Sequence, residues 1–206
     1  MGWYNITDDY IKDAKINLPV CEILEVRERC GGTQRTIDRI DQTGQPIPVW
    51  TLNENNEEGV LAILYANPKS QAPPNSAVGI IKYHTLSSKA QITLRGTDLS
   101  MKLTDYSHGH EFNFNGCKYR WIMSKNTMST STLYLKDGSE RTLARWRRKP
   151  EGRGGDSSPI FELFVPPQAL DMDFFIVTGL ACAGYWRKAN KDSFKIIGKL
   201  LGGIDM

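Results

Sequence analysis

The pattern of apolar and polar residues between positions 20 and 165 alternates in short segments separated by turn residues. Such alternation is typical of strands with one buried face, and many short strands indicate a sandwich or a barrel rather than βαβ units. The pattern therefore predicts an all-β region of about twelve strands. The predicted strands cover residues 20–29, 35–40, 47–52, 59–66, 78–85, 89–95, 98–103, 110–114, 117–123, 131–136, 140–148 and 160–165.

Two turns within this region have a specific chemistry. Asn115-Gly116 lies between HEFNF and CKYRWIM, and Asp137-Gly138 lies between STLYLK and SERTLARW. Asn-Gly and Asp-Gly suit the positive φ angles of a two-residue type I′ turn. Both dipeptides are therefore predicted to form two-residue hairpins.

The pattern changes after Pro166-Pro167, where a helix is predicted over about residues 168–188. The thirteen residues FFIVTGLACAGYW, from Phe174 to Trp186, carry no charge and leave no polar face at any helical angle. A bilayer span needs about 20 apolar residues, so a buried core helix is the favoured interpretation. Small residues such as Gly179 and Gly184 would let surrounding walls approach the helix axis closely.

Strands and helix together predict a mainly β fold, in which a closed antiparallel barrel of about twelve strands surrounds one hydrophobic C-terminal α-helix. Residues 18–190 form this single domain, residues 1–17 are an N-terminal arm, and residues 191–206 are a C-terminal tail. The tail mixes apolar residues with lysines, so it either docks on the barrel or forms an interfacial amphipathic segment.

Three segments resemble the tubby C-terminal-like family, especially its fungal, mostly uncharacterised branch, which is related to phospholipid scramblase and LURP-one-like proteins. They are HEFNFNGCKYRW (110–121), LYLKDGSERTLARWRR (133–148) and LDMDFFIVTGLACAGYWRK (170–188). The resemblance implies a barrel threaded by its C-terminal helix. It also implies phosphoinositide binding through basic residues on the barrel, without identifying those positions one for one. The glycine-rich loop 149–158 and the insert 67–76 depart from the family pattern.

Charge adds one local feature to this picture. The chain has 26 basic and 23 acidic residues, a net charge of +3 that does not mark a nucleic-acid-binding protein. Six cations against Glu151 give residues 141–153 a net charge of +5, which exceeds the excess of the whole chain. The predicted ligand-binding residues are Arg141, Arg145, Trp146, Arg147, Arg148, Lys149 and Arg153.

The chemistry of this stretch suits an anion. Arginine forks pair with phosphate oxygens, and Trp146 could supply an interfacial ring. Alternation places Leu143, Arg145 and Arg147 on one strand face and Ala144, Trp146 and Arg148 on the other. The alternative is a solvated, charged strand and loop that keeps the protein soluble.

A second polar cluster lies in DYSHGHEF and contains Asp105, His108, His110 and Glu111. His and carboxylate side chains together could carry out acid–base chemistry. The alternative is a polar turn that enters a hairpin. No metal or cofactor motif is present, and the four cysteines have no metal or disulfide spacing, so neither a metal nor a cofactor is expected.

The sequence indicates its fold better than its task. The favoured hypothesis is a non-enzymatic binding module for an anionic lipid head group or an amphipathic small molecule at a membrane surface. The alternatives are a fungal secondary-metabolite enzyme of cyclase or isomerase type, and a protein–protein adaptor that uses the C-terminal tail. A cytoplasmic location is expected, peripheral to a membrane if lipid is the ligand, with no nucleic-acid partner and no transmembrane span.

Overall fold

The computed structural model describes residues 18–29, 34–55, 59–66, 77–83, 90–103, 109–124, 132–148 and 158–185. Thirteen strands and one helix, α1 (172–185), make up its regular structure, with a 3-10 turn at Pro167–Ala169. The strands are β1 (Glu22–Arg29), β2 (Gln34–Ile40), β3 (Pro46–Asn55), β4 (Val60–Tyr65), β5 (Ala77–Tyr83), β6 (Ala90–Leu94), β7 (Thr97–Leu99), β8 (Lys102–Leu103), β9 (Gly109–Phe114), β10 (Cys117–Met123), β11 (Leu133–Asp137), β12 (Thr142–Arg148) and β13 (Pro159–Leu163).

All thirteen strands belong to one antiparallel sheet, in the order β7-β6-β5-β4-β3-β2-β1-β13-β12-β11-β10-β9-β8. The pairing of β1 with β13 joins its two halves. The prediction of a mainly β fold with one C-terminal helix is confirmed. The strand count rises by one because the predicted strand 98–103 is divided between β7 and β8, with Ser100 and Met101 between them.

Those two short strands are the opposite edges of the sheet, although they are consecutive in the chain. Strand β7 also comes within 8 Å of β9, the neighbour of β8. No ladder of hydrogen bonds joins β7 to β8 in the part of the chain described here, so the predicted closure by strand pairing is not seen.

Side chains from both halves of the sheet pack on α1 and form one hydrophobic core. Alternation along each strand gives one inner face, on which apolar residues recur at every second position. Fully buried members of this core are Leu24, Ile37, Ile63, Ile81, Ile92, Phe112, Trp121, Phe161, Phe174 and Phe175.

Glycines allow the helix and the sheet to approach very closely. A Cβ on Gly79 of β5 would lie 2.3 Å from Val177 Cγ2, and one on Gly179 would lie 2.7 Å from Phe161 Cε1. A Cβ on Gly184 would lie 2.1 Å from the Tyr83 hydroxyl oxygen. The small residues of the predicted helix thus have the packing role expected of them.

The helix begins later than predicted and is fixed at its start by two aspartates. The Asp171 carboxylate accepts a hydrogen bond from the Phe174 backbone N–H at 3.0 Å, which caps the first turn. The buried Asp173 carboxylate accepts hydrogen bonds from Trp50 Nε1 at 3.1 Å and from the Tyr65 hydroxyl at 2.5 Å. Residues 186–188, the predicted end, lie outside the described residues.

One of the two predicted hairpin turns is confirmed. Asn115 and Gly116 have φ angles of 49° and 75°, and Phe114 pairs with Cys117. The two-residue turn predicted at Asp137-Gly138 is wrong. Here Glu140 N–H donates to Asp137 O at 3.0 Å, and Glu140 itself takes the positive φ of 62°. The result is a three-residue loop of type I turn plus bulge.

Two predicted regions, the N-terminal arm 1–17 and the tail 191–206, lie outside the described residues. Within the ranges that are described, no helix has the length and apolar character needed to cross a membrane.

Candidate anion-binding surface

The basic residues predicted as one site are spread along the whole of strand β12. Arg141 precedes the strand at the end of the sheet where α1 begins, whereas Arg148 is its last residue. An extended chain rises about 3.3 Å per residue, so these two positions are about 23 Å apart. A single phosphate cannot contact both. The side chain of Arg148, together with Lys149 and Arg153, lies outside the described residues.

Arg145 and Arg147 share the outer face of β12, as the alternation predicted, and both bind Glu162 on β13. Arg145 Nε donates to Glu162 Oε2 at 2.6 Å. Arg147 donates through Nε at 2.9 Å and through Nη2 at 2.8 Å, so it grips both carboxylate oxygens. Burial raises the pKa of Glu162, but the two guanidinium groups outweigh it and hold the pKa below its usual value.

This cluster is sheltered from solvent. The Glu162 side chain is only 5 % exposed. Tyr134 and Ile160, the neighbours of Arg145 and Arg147 in register, are also buried. Arg145 additionally lies over the Phe164 ring, 5.6 Å from its centroid. Glu162 therefore neutralises much of the positive charge of Arg145 and Arg147 within the protein.

Trp146 points in the opposite direction, toward α1. It pairs with Leu133 and Phe161 and packs against the hydrophobic core. Its Nε1 is buried and has no acceptor among the described residues. This position does not support the predicted role of Trp146 as an interfacial ring beside the arginines, because the strand alternation places them on different faces.

Among the predicted residues whose side chains are described, Arg141 is the most accessible, with its side chain 67 % exposed. Its Nε donates to Asp137 Oδ2 at 3.1 Å. The other oxygen of Asp137 accepts the backbone N–H groups of Ser139 and Arg141 at 2.9 and 3.0 Å. Asp137 therefore holds both the turn and the arginine.

The structure adds a second cation cluster that the sequence analysis missed. Arg120 on β10 lies directly opposite Lys136 on β11. Arg120 Nη2 is 2.8 Å from both carboxylate oxygens of Glu140, and Lys136 Nζ donates to Oε2 at 3.0 Å. Burial raises the pKa of Glu140, but Lys136 and Arg120 together hold it below its usual value. Only the pairing register of β10 with β11 could have shown this cluster, because Arg120 lies 20 residues before Glu140 in the sequence.

A neighbouring ion pair extends this surface toward β9. Lys118 Nζ lies 2.8 Å from Glu111 Oε2, and Glu111 is opposite Arg120 in register. Three cations and two carboxylates therefore lie together around the β10–β11 ladder, leaving a net positive charge.

The candidate catalytic cluster is only partly described, because Asp105 and His108 lie outside the described residues. His110 and Glu111 point to opposite faces of β9. His110 is fully buried, with its ring edge-on to Tyr185 at a centroid distance of 4.6 Å, whereas Glu111 faces outward to Lys118. Burial lowers the pKa of His110 to about 4. The described members of this cluster do not converge on one reacting centre.

No protein-family model, curated protein or solved structure matches this chain. Among the described residues, no group of three His, Cys, Asp or Glu side chains comes together in a form that could hold a metal ion.

Proposed function

We propose that the sheet and α1 form a barrel-like fold of the tubby C-terminal type. Two observations support this proposal. The edge strands β7 and β8 are linked by only Ser100 and Met101, so the chain passes directly from one edge of the sheet to the other. In addition, α1 contacts strands from both halves of the sheet, including β5 through Gly79 and β13 through Phe161.

We further propose that the protein is a non-enzymatic binding module for a phosphate-bearing head group at an anionic membrane surface. The observation that carries this function is the convergence of Arg120 and Lys136 on one carboxylate. A guanidinium fork beside an ammonium group is suited to an oxyanion, because the fork supplies paired donors and the ammonium adds a compact charge.

The close packing between α1 and the inner face of the sheet favours a ligand site on the outer face. The helix approaches β5 and β13 so closely at Gly79 and Gly179 that even a methyl group would collide with a neighbour. At these levels side chains of the protein itself fill the space between helix and sheet. A ligand is therefore expected on the outer face of β10–β12, where Arg141 adds an accessible cation and Arg145 and Arg147 add residual positive charge.

Vesicle co-sedimentation tests this function. Phosphatidylcholine vesicles with phosphatidylinositol bisphosphate should bind the protein at low salt, and pure phosphatidylcholine vesicles should not. Binding should weaken as salt rises, because exposed charges are screened. Equal sedimentation with both vesicle types, or none with either, would refute the proposed function.

A matched pair of variants locates the surface. Lys136→Gln removes one cation of the cluster, whereas Lys82→Gln removes one from β5, in the other half of the sheet. Lys136→Gln should weaken vesicle binding and Lys82→Gln should not. Equal losses would indicate a response to net charge alone.

A further inference from the structure

Glu140 occupies the space between Arg120 and Lys136 in the way that an external oxyanion would. Both of its carboxylate oxygens lie 2.8 Å from Arg120 Nη2, and one also accepts from Lys136 Nζ. The side chains of Arg120 and Lys136 are only 20 % and 18 % exposed, so the protein covers most of each. The two residues are neighbours because β10 pairs with β11, and that pairing does not involve Glu140.

Glu140 differs from Glu162 in how easily it could leave. Each glutamate bridges two cations, but the Glu140 side chain is 56 % exposed and that of Glu162 is 5 % exposed. Exposed ion pairs contribute only about 0–1 kcal/mol, because water and salt screen them. Breaking the contacts of Glu162 would instead leave charges in a sheltered place.

The backbone at Glu140 does not explain the choice of residue. Its φ of 62° lies in the left-handed region, where a side chain is disfavoured and glycine is preferred. Glycine is also the usual residue at this position of a three-residue hairpin loop. The loop therefore has a glutamate at a position where its backbone conformation favours glycine.

We infer that Glu140 is an internal counter-ion, which holds the Arg120–Lys136 site until a phosphate group displaces it. The inference rests on the proposed function and adds a mechanism for regulating the same site. A phosphate monoester carries a charge of about −1.5 to −2 and three acceptor oxygens, so it satisfies two cations better than one carboxylate does. On displacement, the Glu140 side chain moves into solvent, while Asp137 continues to hold the β11–β12 turn.

The test compares the wild-type protein with Glu140→Gln, which keeps the side-chain size and removes the charge. Binding is measured to inorganic phosphate by titration and to phosphatidylinositol bisphosphate vesicles by co-sedimentation. Glu140→Gln should bind about fivefold more tightly, the effect expected for losing an exposed ion pair that competes with the ligand. A gain in either arm supports displacement, and the arm that shows it identifies the source of the phosphate.

Two controls separate displacement from a general effect of charge. Glu54→Gln makes the same change in net charge on β3, where Glu54 binds Arg35, and it should leave both affinities unchanged. In a Lys136→Gln background, where Arg120 alone still binds Glu140, Glu140→Gln should produce a smaller gain. Glu140→Gly, which suits the positive φ, should behave like Glu140→Gln and shows whether a result depends on the glutamine side chain.

The outcomes for the two proposals differ. If the wild-type protein binds vesicles and Glu140→Gln binds no more tightly, the counter-ion inference is wrong and the proposed function stands. If Glu54→Gln gives the same gain as Glu140→Gln, the inference is also wrong. If none of the proteins binds either probe, the proposed function itself fails.

Discussion

Gly79 of strand β5 faces Val177 of helix α1 so closely that an added Cβ would lie 2.3 Å from Val177 Cγ2. The φ angle of Gly79 lies outside the positive range, so alanine is excluded by the neighbouring helix and not by the backbone. This contact shows why a small residue on a strand, as well as small residues on the helix, is needed to seat α1 against the sheet.

Gly79→Ala should therefore destabilise the protein. Overpacking a core of this kind costs about 1–3 kcal/mol, and urea denaturation would measure the loss. Val177→Ala removes the colliding methyl groups, so the double variant Gly79→Ala/Val177→Ala should be more stable than the sum of the two single effects allows. Additive losses would show that Gly79 and Val177 do not meet as described.

A second prediction concerns the hydrogen bond from Trp121 Nε1 to Thr178 Oγ1, which is 3.0 Å long and buried. Thr178→Val keeps the side-chain shape but leaves the indole N–H without its acceptor. We expect a loss of about 1–3 kcal/mol in the free energy of unfolding. Thr178→Ser retains the hydroxyl and should lose less; if the valine variant is as stable as wild type, the bond contributes nothing.

Several strands could be predicted from the sequence because their apolar alternation matches their burial. In β6, for example, Ala90, Ile92 and Leu94 are buried, while Gln91 and Thr93 between them are more exposed. The all-apolar run from Phe174 likewise required a buried helix. Turn details were less predictable: Asp137-Gly138 suits a type I′ turn, but the Asp137 side chain caps Ser139 and Arg141 and stabilises a longer loop.

The candidate site was harder to predict because it depends on register. Arg120 and Lys136 become neighbours only when β10 pairs with β11, whereas the dense run of arginines on β12 is visible in the sequence. A dense run of arginines in the sequence did not mean that their side chains are exposed, since those of Arg145 and Arg147 are only 20 % and 26 % exposed. Glu162, which binds both Arg145 and Arg147, lies 15 residues beyond Arg147 and has no obvious link to them before the strands are paired.

Glu162 should matter more for stability than for ligand binding. Glu162→Ala leaves Arg145 and Arg147 without their shared counter-ion in a sheltered place, and we expect a cost of about 3–5 kcal/mol. Thermal or urea denaturation would measure it. Glu54→Ala, on an exposed ion pair, should cost far less, and equal costs for the two variants would refute this role.

The Glu162 carboxylate should also make the stability of the fold depend on pH. The folded-state pKa of Glu162 lies below the ordinary value of 4.5. Its contribution to stability is therefore fully present above pH 4.5 and is lost as the pH falls through the folded-state pKa. Glu162→Gln, compared with wild type in acid denaturation, should lack this part of the loss; an unchanged acid profile would contradict it.

His110 should also make stability fall with falling pH, in a window that begins at a higher pH than that of Glu162. Its pKa is 6.5 in an unperturbed state and about 4 in the buried site. Between these values the unfolded chain binds a proton that the folded protein does not, so stability falls as pH falls from 6.5 to 4. The loss over this window is about 3 kcal/mol. His110→Phe keeps an aromatic ring beside Tyr185 and should flatten this part of the profile; a slope equal to that of wild type would show that His110 is not the titrating group.

Backbone-amide NMR during titration with a soluble inositol phosphate tests the central claim most directly, because it identifies the binding surface residue by residue. The account predicts shifts that centre on Arg120, Lys136, Ser139 and Glu140, with none at His110 or Tyr185 inside the sheet. Shifts confined to the interior, or no shifts while phosphatidylinositol bisphosphate vesicles still bind the protein, would contradict an outer-face phosphate site.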